Sequence, residues 1–190
     1  MPALEFRDVD IIFGNPRQQT EALRLLDAGG TRSEILEKSG AVVGVAGASM
    51  AVETSEVCVL MGLSGSGKST LLRAVNGLNR VTRGKVLLYD GDQSTDVASC
   101  SKEVLRQLRM QRIAMVFQQF ALLPWRTVAE NAGLGLELRG LPSDEIRRRV
   151  DEKLELVQLS EWRDKQISQL SGGMQQRVGL ARAFATDADI

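Results

Sequence analysis

The run Glu56–Asn76, EVCVLMGLSGSGKSTLLRAVN, decides the fold. Val57 to Met61 form a short apolar stretch, long enough for a buried parallel strand and too short for a helix. Gly62, Leu63, Ser64, Gly65, Ser66, Gly67, Lys68 and Ser69 follow and fit G-x-x-x-x-G-K-[ST]. Thr70 to Val75 then place Leu71, Leu72 and Val75 at helical spacing. Strand, glycine loop and helix form the context in which this motif cradles phosphate. The glycines let the backbone curl so that successive N–H groups face an anion. Lys68 supplies a point charge for the β and γ phosphates, and the Ser69 hydroxyl is placed to ligate Mg²⁺. The helix start adds its partial positive charge. A glycine-rich turn that merely contains Lys and Ser would lack the flanking strand and helix. By itself the loop implies binding of a nucleoside triphosphate.

Composition narrows the class. The chain has 190 residues, 43% hydrophobic and 25% charged, enough for one domain or one domain with a small subdomain. Lys and Arg total 24, as do Asp and Glu, so the formal net charge is zero. That balance argues against nucleic acid as a partner, since non-specific binding needs a basic excess. Cys58 and Cys100 give neither a disulfide framework nor a zinc spacing and suit a reducing compartment. No run approaches the roughly 18 apolar residues of a membrane span, and the N-terminus lacks signal-peptide order. The expectation is a soluble chain that meets a membrane only through a partner. There is no histidine, which excludes Ser-His and Cys-His catalysis.

Around the loop, strands and helices alternate. Leu4 to Phe13 reads as a strand with a bend. Asn15-Pro16 opens a helix with Ala22, Leu23, Leu25 and Leu26 on its apolar side, stopped at Gly29-Gly30. Thr31 and Glu34 have capping-box spacing for a second helix ending at Ser39-Gly40, so 15–40 reads as an inserted helical hairpin. Val42 to Val52 returns to strand composition, and Gly84 to Gly91 is a strand closed by a turn. Ser101 caps a helix carrying Val104, Leu105 and Leu108. Its row of Arg106, Arg109 and Arg112 reads as an anion face or, more ordinarily, as a solvated face beside acidic neighbours. Ile113 to Phe117 is a second buried-type strand running into Gln118-Gln119. From about 120 to 168 the pattern is helical: Thr127 and Glu130 box one helix through Leu138, Leu141-Pro142 breaks it, and Ser143-Asp144-Glu145 cap another with Ile146, Val150, Leu154 and Val157 on one face. Finally Ser171 sits at an N-cap, with Gly172 and Gly173 in the first turn of a helix that runs on through Ala185. That is a second helix start suited to an anion, or simply a flexible helix start.

With GLSGSGKS, the Gln118 loop and LSGGMQQR in that order, the chain resembles an ABC transporter ATP-binding subunit over nearly its whole length. The resemblance implies an α/β fold: a P-loop NTPase core with an antiparallel β subdomain and an inserted helical subdomain. On this chain those would be a nucleotide-binding core at 1–117, a helical subdomain at about 118–169, and the signature motif with its helix at 170–190. It implies ATP and Mg²⁺ as cofactors, with Lys68 and Gln118 as the catalytic residues present and Ser69 and Gln118 as metal ligands. It also implies a second ATPase subunit docked head to tail, so that Ser171, Gly172, Gly173 and Met174 of one copy face the nucleotide held by residues 62–70, Thr70 included, of the other. By the same resemblance Phe13 matches the aromatic that stacks on adenine, although a strand-end Phe is more often core. The loop around Trp125 lies where a transmembrane permease would dock, and either an exposed or a buried Trp fits.

The hairpin at 15–40 and the strings VVGV, MGLSGSGKST, IAMVFQQFALLPWRTVAEN and LSGGMQQRVGLARA resemble the branch that imports glycine betaine, proline and choline. That implies a peripheral subunit on the cytoplasmic face of the membrane, served indirectly by a periplasmic or extracellular solute-binding protein. An importer ATPase for another small solute such as an amino acid, or a soluble non-transport ABC protein, is the alternative. The family also needs a strand ending in Asp, a Glu that orients water, and a histidine at the γ-phosphate. Val86 to Asp90 precedes the signature, is followed by Gly91 and sits at a turn, so it is rejected as that strand. The expectation is therefore an N-terminal fragment that holds phosphate and does not hydrolyse ATP.

Overall fold

A computed structural model describes residues 2–190. The chain divides into two compact units, one ending at Leu105 and the other running from Arg106 to Ile190.

The first unit is built on a four-stranded sheet ordered β2-β1-β3-β4, with β1 at Pro2–Phe13, β2 at Val42–Glu53, β3 at Arg83–Asp90 and β4 at Gln93–Asp96. Every pairing is antiparallel. In β1 the alternation of buried Leu4 and Phe6 gives way to an unbroken buried run, Val9 to Ile12. The change coincides with a register shift between Phe6 and Val9, where Asp8 takes φ 46°. An extra residue there tilts the strand, so side chains that would alternate outward turn into the core. This is the bend expected from the sequence.

Helices α1 (Pro16–Asp27) and α2 (Arg32–Ser39) form the expected hairpin, each opened by a complete capping box, Asn15 with Gln18 and Thr31 with Glu34. Gly40 closes α2 in the left-handed region, which glycine enters without a Cβ penalty. Ala22 and Ile35 pack onto Ile12, Ala41 and Val43, which fixes the hairpin to the sheet. A polar tie supplements that core. Arg83 donates to Asp10 at 2.6 Å and forks onto both oxygens of Asp27 at 2.8 and 2.9 Å, while Asp10 also accepts from the Gly47 amide. Asp10 is only 1% exposed, and this double partnership is what makes its burial tolerable. Helix α3 (Lys68–Val75) buries Leu71, Ala74 and Val75, whereas Leu72 stays half exposed. β3 and β4 form a hairpin turning at Gly91-Asp92, which agrees with rejecting Val86 to Asp90 as a metal-binding parallel strand.

The second unit is helical. After α4 (Lys102–Gln111), which crosses the division between the units, come α5 (Val128–Leu138), α6 (Ser143–Leu156) and α7 (Gly172–Ala185). Val128, Leu136, Val150, Leu154, Val178 and Ala181 are the centre of their shared core. The capping box expected at Thr127 is present, and α6 starts one residue earlier than the sequence suggests, with Pro142 at the cap and Ser143 inside. Arg112 of the arginine row is paired, its guanidinium within 2.6 Å of Asp189.

Two expected strands are not strands. Val57–Met61 and Ile113–Phe117 carry no regular structure. Val57, Val59 and Met61 are 88%, 69% and 87% exposed, where a buried strand was expected. The physical reason is that a parallel strand exists only when neighbours accept its N–H and C=O groups. Among the described residues no strand pairs with 57–61. The 113–117 segment does have one contact of that kind: Ile190 donates to the Arg112 carbonyl at 3.0 Å and accepts from the Ala114 amide at 2.7 Å. Bonding to the residues on either side of one position is how neighbouring strands pair in a parallel ladder.

Candidate functional site

The phosphate loop is fastened where α3 begins. Gly67 precedes α3 with φ 100°, and a Cβ there would stand 2.3 Å from the Gly44 carbonyl oxygen. Only glycine fits, on both conformation and space. Gly44, inside β2, performs the reciprocal task. A Cβ on it would meet the Phe13 ring at 2.8 Å and the Thr70 methyl at 3.0 Å, so both side chains close on the same bare Cα. Phe13, at the end of β1, is thus brought to the start of α3, with 45% of its surface still open. That exposure leaves part of the Phe13 side chain open to solvent.

Lys68 reaches back across the loop. Its Nζ donates to the Gly62 and Leu63 carbonyls, each at 2.8 Å, and lies 3.4 Å from the Ser66 hydroxyl. These partners are neutral, so they orient the ammonium without cancelling its charge. No side chain caps α3, so its first-turn N–H groups face outward with the helix's partial positive charge. A Cβ on Gly65 would meet nothing within 4 Å, so the mouth of the loop is open. A lysine cation, an uncapped helix start and an open glycine arc suit a multiply charged anion. Ser64, Ser66 and Ser69 are exposed on this arc.

Gln118 belongs to the second unit, exposed on a turn closed by the Phe120 amide on the Phe117 carbonyl at 2.9 Å. Phe120 and Ala121 both take positive φ, 58° and 47°, which non-glycine residues adopt only under constraint. The constraint comes from α7: Arg182 donates to the Phe120 and Ala121 carbonyls, each at 2.7 Å. The next stretch is held by Asn131, fully buried in α5. Its amide donates to the carbonyls of Leu123, Arg126 and Thr127 at 3.0, 3.3 and 2.9 Å and accepts from the Leu123 amide at 2.8 Å. Trp125 projects from this loop, 73% exposed, which decides between the two possibilities left open by the sequence. It stands at the lip of a groove of about 890 Å³ between α5 and α6, where Arg126, Glu130, Arg147 and Asp164 mix charge with the aliphatic floor of Ile146 and Val150.

At the other end of the unit Ser171 caps α7, its hydroxyl accepting from the Met174 amide at 3.4 Å. Ser171, Gly172 and Gly173 are exposed, and a Cβ on either glycine would meet nothing within 4 Å. Below them, Gln175 donates to the Ile167 and Leu170 carbonyls and Arg177 to the Val157 carbonyl at 2.8 Å. The helix start is therefore rigidly seated while its tip is free to receive a ligand.

The metal-ligand candidates, the Ser69 hydroxyl and the Gln118 amide oxygen, are neutral hard donors in separate units. Among the described residues no three His, Cys, Asp or Glu side chains gather to hold a metal. Each oxygen by itself is of the kind that suits Mg²⁺ carried on nucleotide phosphates, which keeps most of its shell from water and phosphate oxygens. Three residues that matter here were not singled out from the sequence: Gly44, Asn131 and Arg182. Each broke a local pattern, a glycine inside a strand and two polar side chains within apolar helices.

Comparison with known proteins gives the family. The family described as ABC transporter matches residues 45–190. The glycine betaine transport ATP-binding protein OpuAA of Bacillus subtilis is 46% identical over 98% of this chain and 43% of its own length. The glycine betaine/proline betaine transport ATP-binding protein ProV of Escherichia coli is 46% identical over 98% of this chain and 45% of its own. The chain thus spans a little under half the length of these curated relatives. Among solved structures, the dimeric ATP-binding cassette MJ0796 bound to ADP and Pi superposes with TM-score 0.75 at 27% identity, covering 97% of this chain and 70% of that one. A glycine loop suited to an anion, a glutamine turn and an open serine-glycine helix start thus lie in a chain that the family and its ATP-binding proteins match across this length: the chain belongs to the ABC transporter family, among its ATP-binding subunits.

Proposed function

We propose that the full-length protein is the ATP-hydrolysing subunit of an importer for glycine betaine-type solutes. One observation carries the nucleotide half of this reading. Lys68 holds its charge across the Gly62 and Leu63 carbonyls at the uncapped start of α3. From there Lys68 and the amides of 62–70 hold the β and γ phosphates, Ser69 and Gln118 offer oxygens to Mg²⁺, and Phe13 stacks on the adenine. Bound Mg²⁺ would supply charge neutralisation at the phosphates. Ser171 to Met174 of one copy close the site of the second in a head-to-tail dimer, which would use the free tip of α7. The groove beside Trp125 receives the permease on the cytoplasmic side of the membrane, and 118–169 acts as the helical subdomain that presents it. The solute-binding protein acts through the permease alone. The 190 residues include no histidine and span less than half the length of the betaine-transport relatives, and in this reading the γ-phosphate histidine and the water-orienting Glu belong to the rest of a full-length protein of that size. Residues 1–190 alone should bind nucleotide and not turn it over.

The solute assignment rests on the relatives. Betaine-transport relatives at 44–46% identity match at least 98% of the chain, whereas the methionine importer subunit of Caulobacter vibrioides matches 77% of it. The test uses the full-length protein with its permease in vesicles. Lys68→Ala should lower turnover about 10²–10³-fold, as removal of a charge-stabilising group in a transition-state site does. Glycine betaine, and not methionine, should stimulate the intact assembly. Unchanged turnover in Lys68→Ala would remove the phosphate assignment; stimulation by methionine alone would replace the solute.

A further inference from the structure

Arg182 lies ten residues beyond Gly172 on α7, about 15 Å along the helix from the serine-glycine tip. Its guanidinium is drawn out of water, and that burial pushes its pKa down. The donors Nη1 and Nη2 go to two backbone carbonyls, those of Ala121 and Phe120. Burying a charge against neutral partners is costly and gains its return in geometry. What it fixes is a pair of successive left-handed residues, two positions beyond Gln118, in a turn tightened further by the Ala121 amide on the Gln119 carbonyl. The planar fork sends one N–H from each of two nitrogens to the two carbonyls in a fixed geometry, whereas a lysine ammonium would have to reach both from a single nitrogen on a flexible stem. Gly179, one turn earlier on α7, lies beside the same loop: a Cβ there would make ordinary contact with the Val116 side chain at 3.9 Å and the Phe120 oxygen at 4.0 Å.

We propose that Arg182 is a positioning residue for Gln118. It locks the Phe120-Ala121 turn so that the glutamine is presented in one orientation, and it makes α7 a strut joining the Ser171–Gly173 tip to the Gln118 turn. The proposal rests on the reading of Gln118 as a Mg²⁺ ligand. Displacing such a group by about an ångström costs on the order of 10²-fold in rate. Binding of nucleotide, held by the phosphate loop, should barely change.

The experiment uses the full-length protein assembled with its permease, and compares Arg182→Gln, Arg182→Lys, Gln118→Ala and the Arg182→Gln/Gln118→Ala double variant. Arg182→Gln should lower kcat about 10- to 100-fold with KM for ATP little changed, a split that marks loss of a transition-state contact. Arg182→Lys should recover only part of kcat. The double variant should be no slower than Gln118→Ala, because both act through one group. Amide exchange at 117–123 should rise roughly tenfold in Arg182→Gln, the loss of charge-assisted hydrogen bonds, with 174–181 unchanged. Unchanged kcat in Arg182→Gln would overturn the proposal. So would losses that multiply in the double variant, or faster exchange spread along α7, since either marks Arg182 as a general support of the helix. If Gln118→Ala alone keeps full turnover while Arg182→Gln still loosens 117–123, the Gln118 reading is what has failed, and the positioning role falls with it.

Discussion

Removing the Asn131 amide should release the loop that carries Trp125. In Asn131→Ala three groups lose a partner: the Leu123 amide, the Leu123 carbonyl and the Arg126 carbonyl. The Thr127 carbonyl keeps the backbone amide of residue 131 at 3.0 Å. An orphaned buried group costs about 1–3 kcal/mol, and Leu123 is only half buried, so water can satisfy part of the loss. The sum is about 2–4 kcal/mol. The assay is urea denaturation followed by tryptophan fluorescence. The only tryptophans, Trp125 and Trp162, both lie in the second unit, so the signal reports that unit alone. With a slope of about 1.5 kcal/mol/M, the midpoint should fall by roughly 2 M. A drop of less than about 0.5 M, equivalent to under 1 kcal/mol, would refute the claim that this amide holds the loop. Asn131→Asp sharpens the test by setting a carboxylate against three carbonyls. Its folded pKa is raised, so the stability of this variant is retained below the unfolded carboxylate pKa and lost as pH rises through that range.

Gly67→Ala forces a Cβ to within 2.3 Å of the Gly44 oxygen at φ 100°, and should weaken ATP binding at least about tenfold while the antiparallel sheet stays folded; near-normal binding would show that the loop tolerates another path. Glu5 accepts from Arg7 at 2.7 and 2.8 Å and from the Tyr89 hydroxyl at 2.6 Å, which together hold its pKa down to about 2 from an ordinary 4.5. Its contribution is thus present above 4.5 and lost as pH falls from there toward 2. An NMR titration should place the midpoint there, and Tyr89→Phe should raise it partway, since Arg7 remains the larger cause; no movement in Tyr89→Phe would exclude the hydroxyl.

What the sequence revealed was what local chemistry determines. Thr31 and Thr127 each announce a helix by a box of two reciprocal hydrogen bonds three residues apart, and both boxes formed, while Asn15, read as a cap before Pro16, proved to make a box with Gln18 as well. The start of α3 straight after the glycine loop and the Ser171 cap on α7 were equally legible, because both depend on residue type at fixed spacing. Asn131 and Arg182 were not, since their partners are loop carbonyls whose position depends on how α5 and α7 pack. Both nonetheless left a trace: a polar side chain in a helix otherwise apolar on that face asks where its hydrogen bonds go. Gly44 left another, because a glycine inside a strand often marks a close backbone approach. The strands at 57–61 and 113–117 failed for the opposite reason. Apolar composition fits a buried strand, yet the strand itself is a property of its neighbours.

That distinction decides which side of the phosphate loop controls its shape in these residues. On the N-terminal side Val57, Val59 and Met61 stand in water, with no ladder to fix the path into Gly62. On the C-terminal side Gly67 is wedged against Gly44, Thr70 and Phe13 close on the same point, and α3 is anchored by Leu71, Ala74 and Val75. The loop is held from α3 and β2 outward. Val59→Thr should therefore change the stability of residues 1–190 by less than about 0.5 kcal/mol, as an exposed substitution does. In the full-length protein, if the remaining chain pairs with 57–61, the same change would cost about 1–2 kcal/mol, the worth of burying part of a valine. Measuring Val59→Thr by thermal unfolding in both lengths separates the two states of the segment. Equal costs would mean that 57–61 stays unpaired in the longer chain, and that the loop is shaped from the α3 side alone.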